Sequence, residues 1–128
     1  MPRGKERMAK TVLIVDDEPE FVELTGMRLE AADYRVLAAY NGQEGLLKAR
    51  GENVDLILLD LMMPGLNGFE VLERLKADER TRDVPVVMLT AKGDSKSVFK
   101  AESLGAADYL TKPYDSAHFL SVVQRHIR

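Results

Sequence analysis

Two apolar periodicities alternate along the chain. Residues 11–15, 34–39, 54–59, 84–89 and 107–110 are short apolar runs with the length and composition of strands. The segments between them repeat apolar residues at the spacing of one helix face. Val22, Gly26 and Leu29 share one side of the first segment, and Pro19 suits its opening turn. Asn41 with Glu44 predicts a capping box at the start of the second. Phe69, Leu72 and Leu75 stripe the third. Val98, Ala101 and Leu104 stripe the fourth, with Gly105 placed to end it, and Leu120, Val123 and Ile127 stripe the fifth. Strand and helix thus alternate throughout, which predicts an α/β, doubly wound parallel sheet with right-handed crossovers and helices on both faces.

One run is odd. Val54 to Gly65 reads VDLILLDLMMPG, an apolar stretch of the kind buried on both faces that nevertheless ends in Asp60. A carboxylate there is costly to desolvate unless it is paired or holds a cation. In an open parallel sheet, function gathers beyond the carboxyl ends of the strands. The first run ends in Asp16-Asp17-Glu18, the third in Asp60, the fourth in Thr90 and the fifth in Thr111-Lys112-Pro113. The second ends in Tyr40-Asn41 and offers little chemistry. If the first and third strands are neighbours, Asp16, Asp17 and Asp60 converge.

Converging carboxylates force a proton onto one of their number unless positive charge is at hand. Lys112 supplies one such charge. An oxygen-only set without His or Cys suits Mg²⁺, which takes few carboxylates and keeps several waters. A carboxylate beside Mg²⁺, an ammonium and a hydroxyl is a place for a phosphoryl group, and a carboxylate can itself serve as the acceptor.

Composition removes other classes. The 128 residues are most simply one domain, 9–128, preceded by a basic extension at 1–8 with no signal-peptide core behind it. A net charge of −3 gives no reason to expect direct nucleic-acid binding. The absence of cysteine excludes disulfides and thiolate catalysis and fits a cytoplasmic protein. No apolar run reaches membrane-spanning length.

VDDEP at 15–19, LLDLMMPGLNG at 58–68, MLTA at 88–91 and LGAADYLTKP at 104–113 resemble the receiver domain of two-component response regulators. The resemblance covers nearly the whole chain after Met8. It implies the flavodoxin-like (βα)5 fold, with a five-stranded sheet of order 2-1-3-4-5. It implies that Asp60 takes a phosphoryl group from a sensor histidine kinase or phosphotransfer protein. Asp17, Asp60 and the Met62 backbone carbonyl would ligate Mg²⁺, with Asp16 acting through a water. Thr90 and Lys112 would bind the phosphoryl oxygens, and Ala91 would leave room for the donor. The Lys112–Pro113 peptide would be cis. Thr90 and Tyr109 would switch the face of helix four, strand five and helix five toward an unnamed downstream protein or a homodimer formed on phosphorylation. Met62 and Lys92 would flank the path of hydrolytic water and tune dephosphorylation.

Each residue also has a plainer reading. Asp16 and Asp17 could favour a helix N-terminus, Thr90 could be an ordinary strand-end residue, and Lys112 a surface lysine. Glu18 could sit near the metal or merely precede the helix. His118 and His126 read as solvated or packed, and Gly65 and Gly68 as backbone-geometry positions. Two other functions compete with the switch: a receiver that binds partners without phosphorylation, and a Mg²⁺-dependent phosphatase working through an aspartyl-phosphate. The second would need a general acid near the nucleophile and a cap over the substrate. Neither is evident in this sequence.

Overall fold

The computed structural model describes residues 9–91 and 94–127. The expected extension at 1–8 and Lys92 lie outside the described residues. Five strands, β1 (Thr11–Val15), β2 (Arg35–Ala39), β3 (Leu56–Asp60), β4 (Val86–Thr90) and β5 (Asp108–Thr111), alternate with five helices. The helices are α1 (Pro19–Ala31), α2 (Gly42–Gly51), α3 (Gly68–Ala77), α4 (Ser95–Ser103) and α5 (Ser116–His126). The strands form one sheet in the order β2-β1-β3-β4-β5, every neighbouring pair parallel.

Because successive strand side chains point to opposite faces, each strand feeds two cores. Leu13, Val15, Ile57, Leu59, Val86 and Met88 face α2, α3 and α4, where Leu46, Val71, Leu72, Leu75 and Ala101 cover them. Val12, Ile14, Leu56, Leu58, Val87 and Leu89 face α1 and α5, beneath Val22, Leu29, Phe119, Val122 and Val123. Double-sided burial explains why β1, β3 and β4 read as continuous apolar runs.

Several expected boundaries shift toward the carboxyl end. β4 begins at Val86 and not at residue 84, because Pro85 has no N–H to give to the ladder. β3 begins at Leu56, since Asp55 ties down the start of β1 by accepting from the Thr11 N–H at 2.8 Å. Asp60 and Thr90 themselves hold the last ladder positions of their strands. Asp60 and Thr90 are therefore part of the sheet itself, whereas Asp16, Asp17 and Lys112 lie just beyond the ends of β1 and β5.

The expected capping box at Asn41 is half formed. Asn41 accepts from the Glu44 N–H, but Glu44 Oε1 accepts from Tyr40 N–H, one residue earlier. The reciprocal box lies at α3 instead, between Asn67 and Glu70. The stripe expected for α5 is met at Val123, with Leu120 and Ile127 packed at the edge of the same core. Phe119 and Val122 are buried as well, and Leu120 and Ile127 only half-buried, so the helix is rotated somewhat from the expected face. His126 is neither simply solvated nor packed: its Nε2 lies 2.9 Å from Asp108 Oδ2 and pins the end of α5 to β5.

Candidate functional site

β1 and β3 are hydrogen-bonded neighbours with Val15 opposite Leu59, so the residues just beyond them meet. Asp16 is wholly buried and Asp60 nearly so. Single carboxylate oxygens of Asp16, Asp17 and Asp60 all lie within 4.8 Å of one another. Asp17 is half-exposed at the mouth of this cluster.

Lys112 directly follows β5, two strands from β3, and the Lys112–Pro113 peptide is cis. The lysine Nζ donates to Asp16 Oδ2 at 2.7 Å and to Glu18 Oε1 at 3.0 Å, and sits 3.6 Å from Asp60 Oδ1. Glu18 therefore does more than precede α1. Its carboxylate shares the ammonium, and its N–H donates to Asp16 Oδ1 at 3.0 Å.

The charges do not balance locally. Burial and repulsion from Asp16 and Asp17 push the Asp60 carboxyl up to about 6, against the opposing attraction of Lys112 and a hydrogen bond from the Met62 N–H. Burial likewise raises Asp16, although Lys112 and the Glu18 N–H oppose it. Burial by itself would lower Lys112, yet its hydrogen bonds to Asp16 and Glu18 and the charges of Asp16 and Asp60 leave it raised. One ammonium beside three clustered carboxylates leaves unmet negative charge. That is the electrostatic signature of a cation site.

Thr90 is wholly buried at the end of β4. The Tyr109 phenol, half-buried against the core beneath α3 and α4, has Ser97 and Thr90 among its hydrogen-bonding neighbours. A cleft of about 280 Å³ opens on the cluster, lined by Asp17, Glu18, Asp60, Met62, Ala91 and Lys112. The Met62 side chain is exposed at its rim, whereas Met63 is buried in the core. A larger cavity of about 620 Å³, lined by Arg50, Arg74, Ala77 and Asp78 to Arg80, lies away from these groups.

The loop after β3 is shaped to bring α3 against the acidic residue. Gly65 adopts φ +75°, which a side chain would strain. Gly68 has no space for a Cβ, which would fall 2.5 Å from the Asp60 carbonyl oxygen and 2.6 Å from Leu61 Cα. Both neighbours are backbone, so nothing soft can yield. Gly68→Ala should therefore destabilise the protein by roughly 1–3 kcal/mol and displace Asp60, weakening divalent-cation binding. Chemical denaturation and a Mg²⁺ titration check both parts.

Sequence reasoning missed the aromatic support of the site. Phe21 lies beneath the Lys112 ammonium, and Tyr114 and Phe119 continue from it into the core. The signal was faint: Tyr114 directly follows Pro113, and Phe21 lies one helical turn beyond Asp17.

Comparison with known proteins agrees with this geometry. The family model described as the response regulator receiver domain matches residues 12–124. The DNA-binding dual master transcriptional regulator RpaA of Synechocystis is 44% identical over 117 residues, covering 91% of this chain and 48% of the regulator. The chain spans about half the length of this and other curated relatives that it matches. Among solved structures, the chemotaxis protein CheY4 of Vibrio cholerae superposes with a TM-score of 0.89 at 29% identity, over 93% of this chain and 99% of that one. The receiver domain of the sensor histidine kinase PA1611 of Pseudomonas aeruginosa, with a magnesium ion coordinated in its active-site cleft, superposes at 0.85 and 29% identity, covering 92% and 97%.

Proposed function

The chain belongs to the response regulator receiver domain family, the signalling phosphoacceptors of two-component systems, and from that premise we propose that Asp60 is its acceptor. The observation that carries the reading is the meeting of the Asp16, Asp17 and Asp60 oxygens within 4.8 Å, beside a cleft that Asp17, Asp60 and Lys112 line. The oxygen-only donors and their unmet charge fit Mg²⁺. Asp17, Asp60 and the Met62 carbonyl would hold the ion directly, and Asp16 through a water. When bound, Mg²⁺ offsets charge on the phosphoryl oxygens and on the attacking carboxylate.

The chain's own residues do the rest. An Asp60 carboxylate oxygen attacks phosphorus while the bond from phosphorus to the donor breaks. The product is an aspartyl-phosphate, and the donor leaves as histidine or, with acetyl phosphate, as acetate. Lys112, already 3.6 Å from Asp60, pairs with one phosphoryl oxygen. The Thr90 hydroxyl donates to another, and Ala91, which lines the cleft, leaves the donor a way in. Because Tyr109 has Thr90 among its hydrogen-bonding neighbours, movement of Thr90 toward the phosphoryl group repositions the ring. That carries the change to α4, β5 and α5, where Phe99 is 71% exposed. The phosphoryl group biases the domain because Thr90 and Lys112 contact it better in one arrangement than in the other. The donor is a sensor histidine kinase or phosphotransfer protein, the reader is a downstream protein, and the setting is cytoplasmic. The domain promotes only its own phosphorylation and dephosphorylation. No helix among the described residues is long and apolar enough to cross a membrane.

Incubation with Mg²⁺ and acetyl phosphate, followed by intact-mass measurement, tests the assignment. One phosphate adduct should form on the native chain and none on Asp60→Asn; an adduct that survives the substitution overturns it. Met62 adds a tuning prediction. Its thioether, exposed at the cleft rim, cannot orient water by a strong hydrogen bond, so the adduct should be long-lived. Met62→Asn should hydrolyse about threefold to tenfold faster, read as the decay of the adduct after donor removal.

A further inference from the structure

The Lys112 ammonium has two kinds of partner. The carboxylates of Asp16, Glu18 and Asp60 lie at 2.7, 3.0 and 3.6 Å. The Nζ also lies 4.1 Å from the centroid of the Phe21 ring in α1. That distance is well inside the range of cation–π attraction.

The ring is not a loose surface aromatic. It meets Tyr114 edge-on, with centroids 5.9 Å apart and planes at 80°. Tyr114 stacks on Phe119 at 4.7 Å and 15°, and its hydroxyl lies 2.8 Å from Thr25 Oγ1. Phe119 is 0% exposed and Thr25 1%. The column therefore starts in the core between α1 and α5 and ends under the ammonium. Its last ring is fixed in place and in tilt.

A lysine head on a four-carbon stem loses much rotamer freedom when it is held in one place. Carboxylates can hold it, but their hydrogen bonds are directional and tie the head to positions that it must partly leave to meet a phosphoryl group. A ring face attracts the ammonium without a hydrogen bond and over a broad area. It keeps the charge above the cleft while its other partners change.

We propose that Phe21 is a positioning residue that holds the Lys112 ammonium over the acceptor through its π face, with the Tyr114–Phe119 column as its support. This rests on reading Lys112 as the phosphoryl-binding lysine.

The test uses the full chain with Phe21 replaced by mono-, di- and trifluorophenylalanine, by Leu and by Tyr. The initial rate of adduct formation with acetyl phosphate is measured at saturating Mg²⁺. Fluorine drains the ring face while nearly keeping its size, so a merely structural role would leave the series flat. The rate should fall in step with fluorination, by about threefold to tenfold at the trifluoro ring. Phe21→Leu should fall at least as far, and Phe21→Tyr should restore the rate. The Lys112 ε-methylene protons should show an upfield ring-current shift by NMR that Phe21→Leu abolishes. A flat fluorinated series overturns the proposal, as does a Lys112 signal that Phe21→Leu leaves in place. If Phe21→Leu folds poorly, the fluorinated rings still decide. Failure of the native chain to form any adduct sinks the phosphoacceptor reading, whereas an adduct with a flat series sinks only the role of Phe21.

Discussion

Asp60→Asn should make the metal-free protein more stable at pH 7.5, although it removes the residue that the site is built around. The Asp60 carboxyl is raised from 3.8 to about 6, first by burial and then by Asp16. The folded state thus holds that proton more tightly than the unfolded chain does. The stability contributed by the bound proton is fully present below pH 4 and lost as pH rises through about 6. At pH 7.5 the ionised group therefore weighs against folding, by an amount on the order of 3 kcal/mol. Asparagine removes the charge but keeps the shape, so a gain of about 2 kcal/mol is expected. Thermal unfolding at pH 7.5 and pH 4 measures it, and the gap between variant and native chain should close at the lower pH. Millimolar Mg²⁺ should also narrow the gap, because a ligand of the native state stabilises the chain that binds it. A variant no more stable than the native chain at pH 7.5 would contradict this account of the site's charge.

Lys112→Met should act in the opposite sense. It leaves Asp16, which is 0% exposed, without the ammonium that lies 2.7 Å away. Breaking a buried pair by removing one partner costs about 3–5 kcal/mol. Lys112 keeps some exposure, so the lower end of that range is expected at pH 7.5. Lysine's own pKa is raised, so its contribution is complete throughout the neutral range and is lost only at strongly alkaline pH. The pH dependence of the variant therefore comes from the carboxylates. As pH falls through the range where Asp16 and Asp60 take up protons, the deficit should shrink. Adduct formation with acetyl phosphate should fall at least tenfold, because a charge-assisted contact to the phosphoryl group is gone. Denaturant unfolding at two pH values and the adduct assay check the two parts. A Lys112→Met protein as stable as the native chain would mean that the ammonium does not offset the acidic cluster.

Much of this was legible because sheet physics writes itself into the sequence. A strand buried on both faces has to be apolar throughout, so Leu56 to Leu59 announces β3 and makes Asp60 conspicuous at its end. The capping and aromatic details were not legible in the same way. Glu44 reaches Tyr40 instead of Asn41 because of where the chain enters α2. A rotated α5 turns Phe119 inward, and a three-residue stripe does not define rotation that finely. Lys92 remains a sequence expectation.

Local pattern along the chain sets the alternation of strand and helix, the two-faced core, and the placing of Asp16, Asp17, Asp60, Thr90 and Lys112 at strand ends. Those are properties of neighbouring residues along the chain, governed by side-chain period and local sterics. Side-chain period does not say which strand ends meet; the family resemblance implied it, and the strand pairing establishes it. Pairing β1 with β3 joins Asp16 to Asp60, and the sheet carries β5 two strands from β3, so that Lys112 closes a contact across 96 residues. Only the tertiary structure decided that Phe21 and Glu18 share that lysine, because α1 and α5 pack on the same face of the sheet. Such contacts depend on distances through space that no local period encodes. The chemistry of the site arises from those distances.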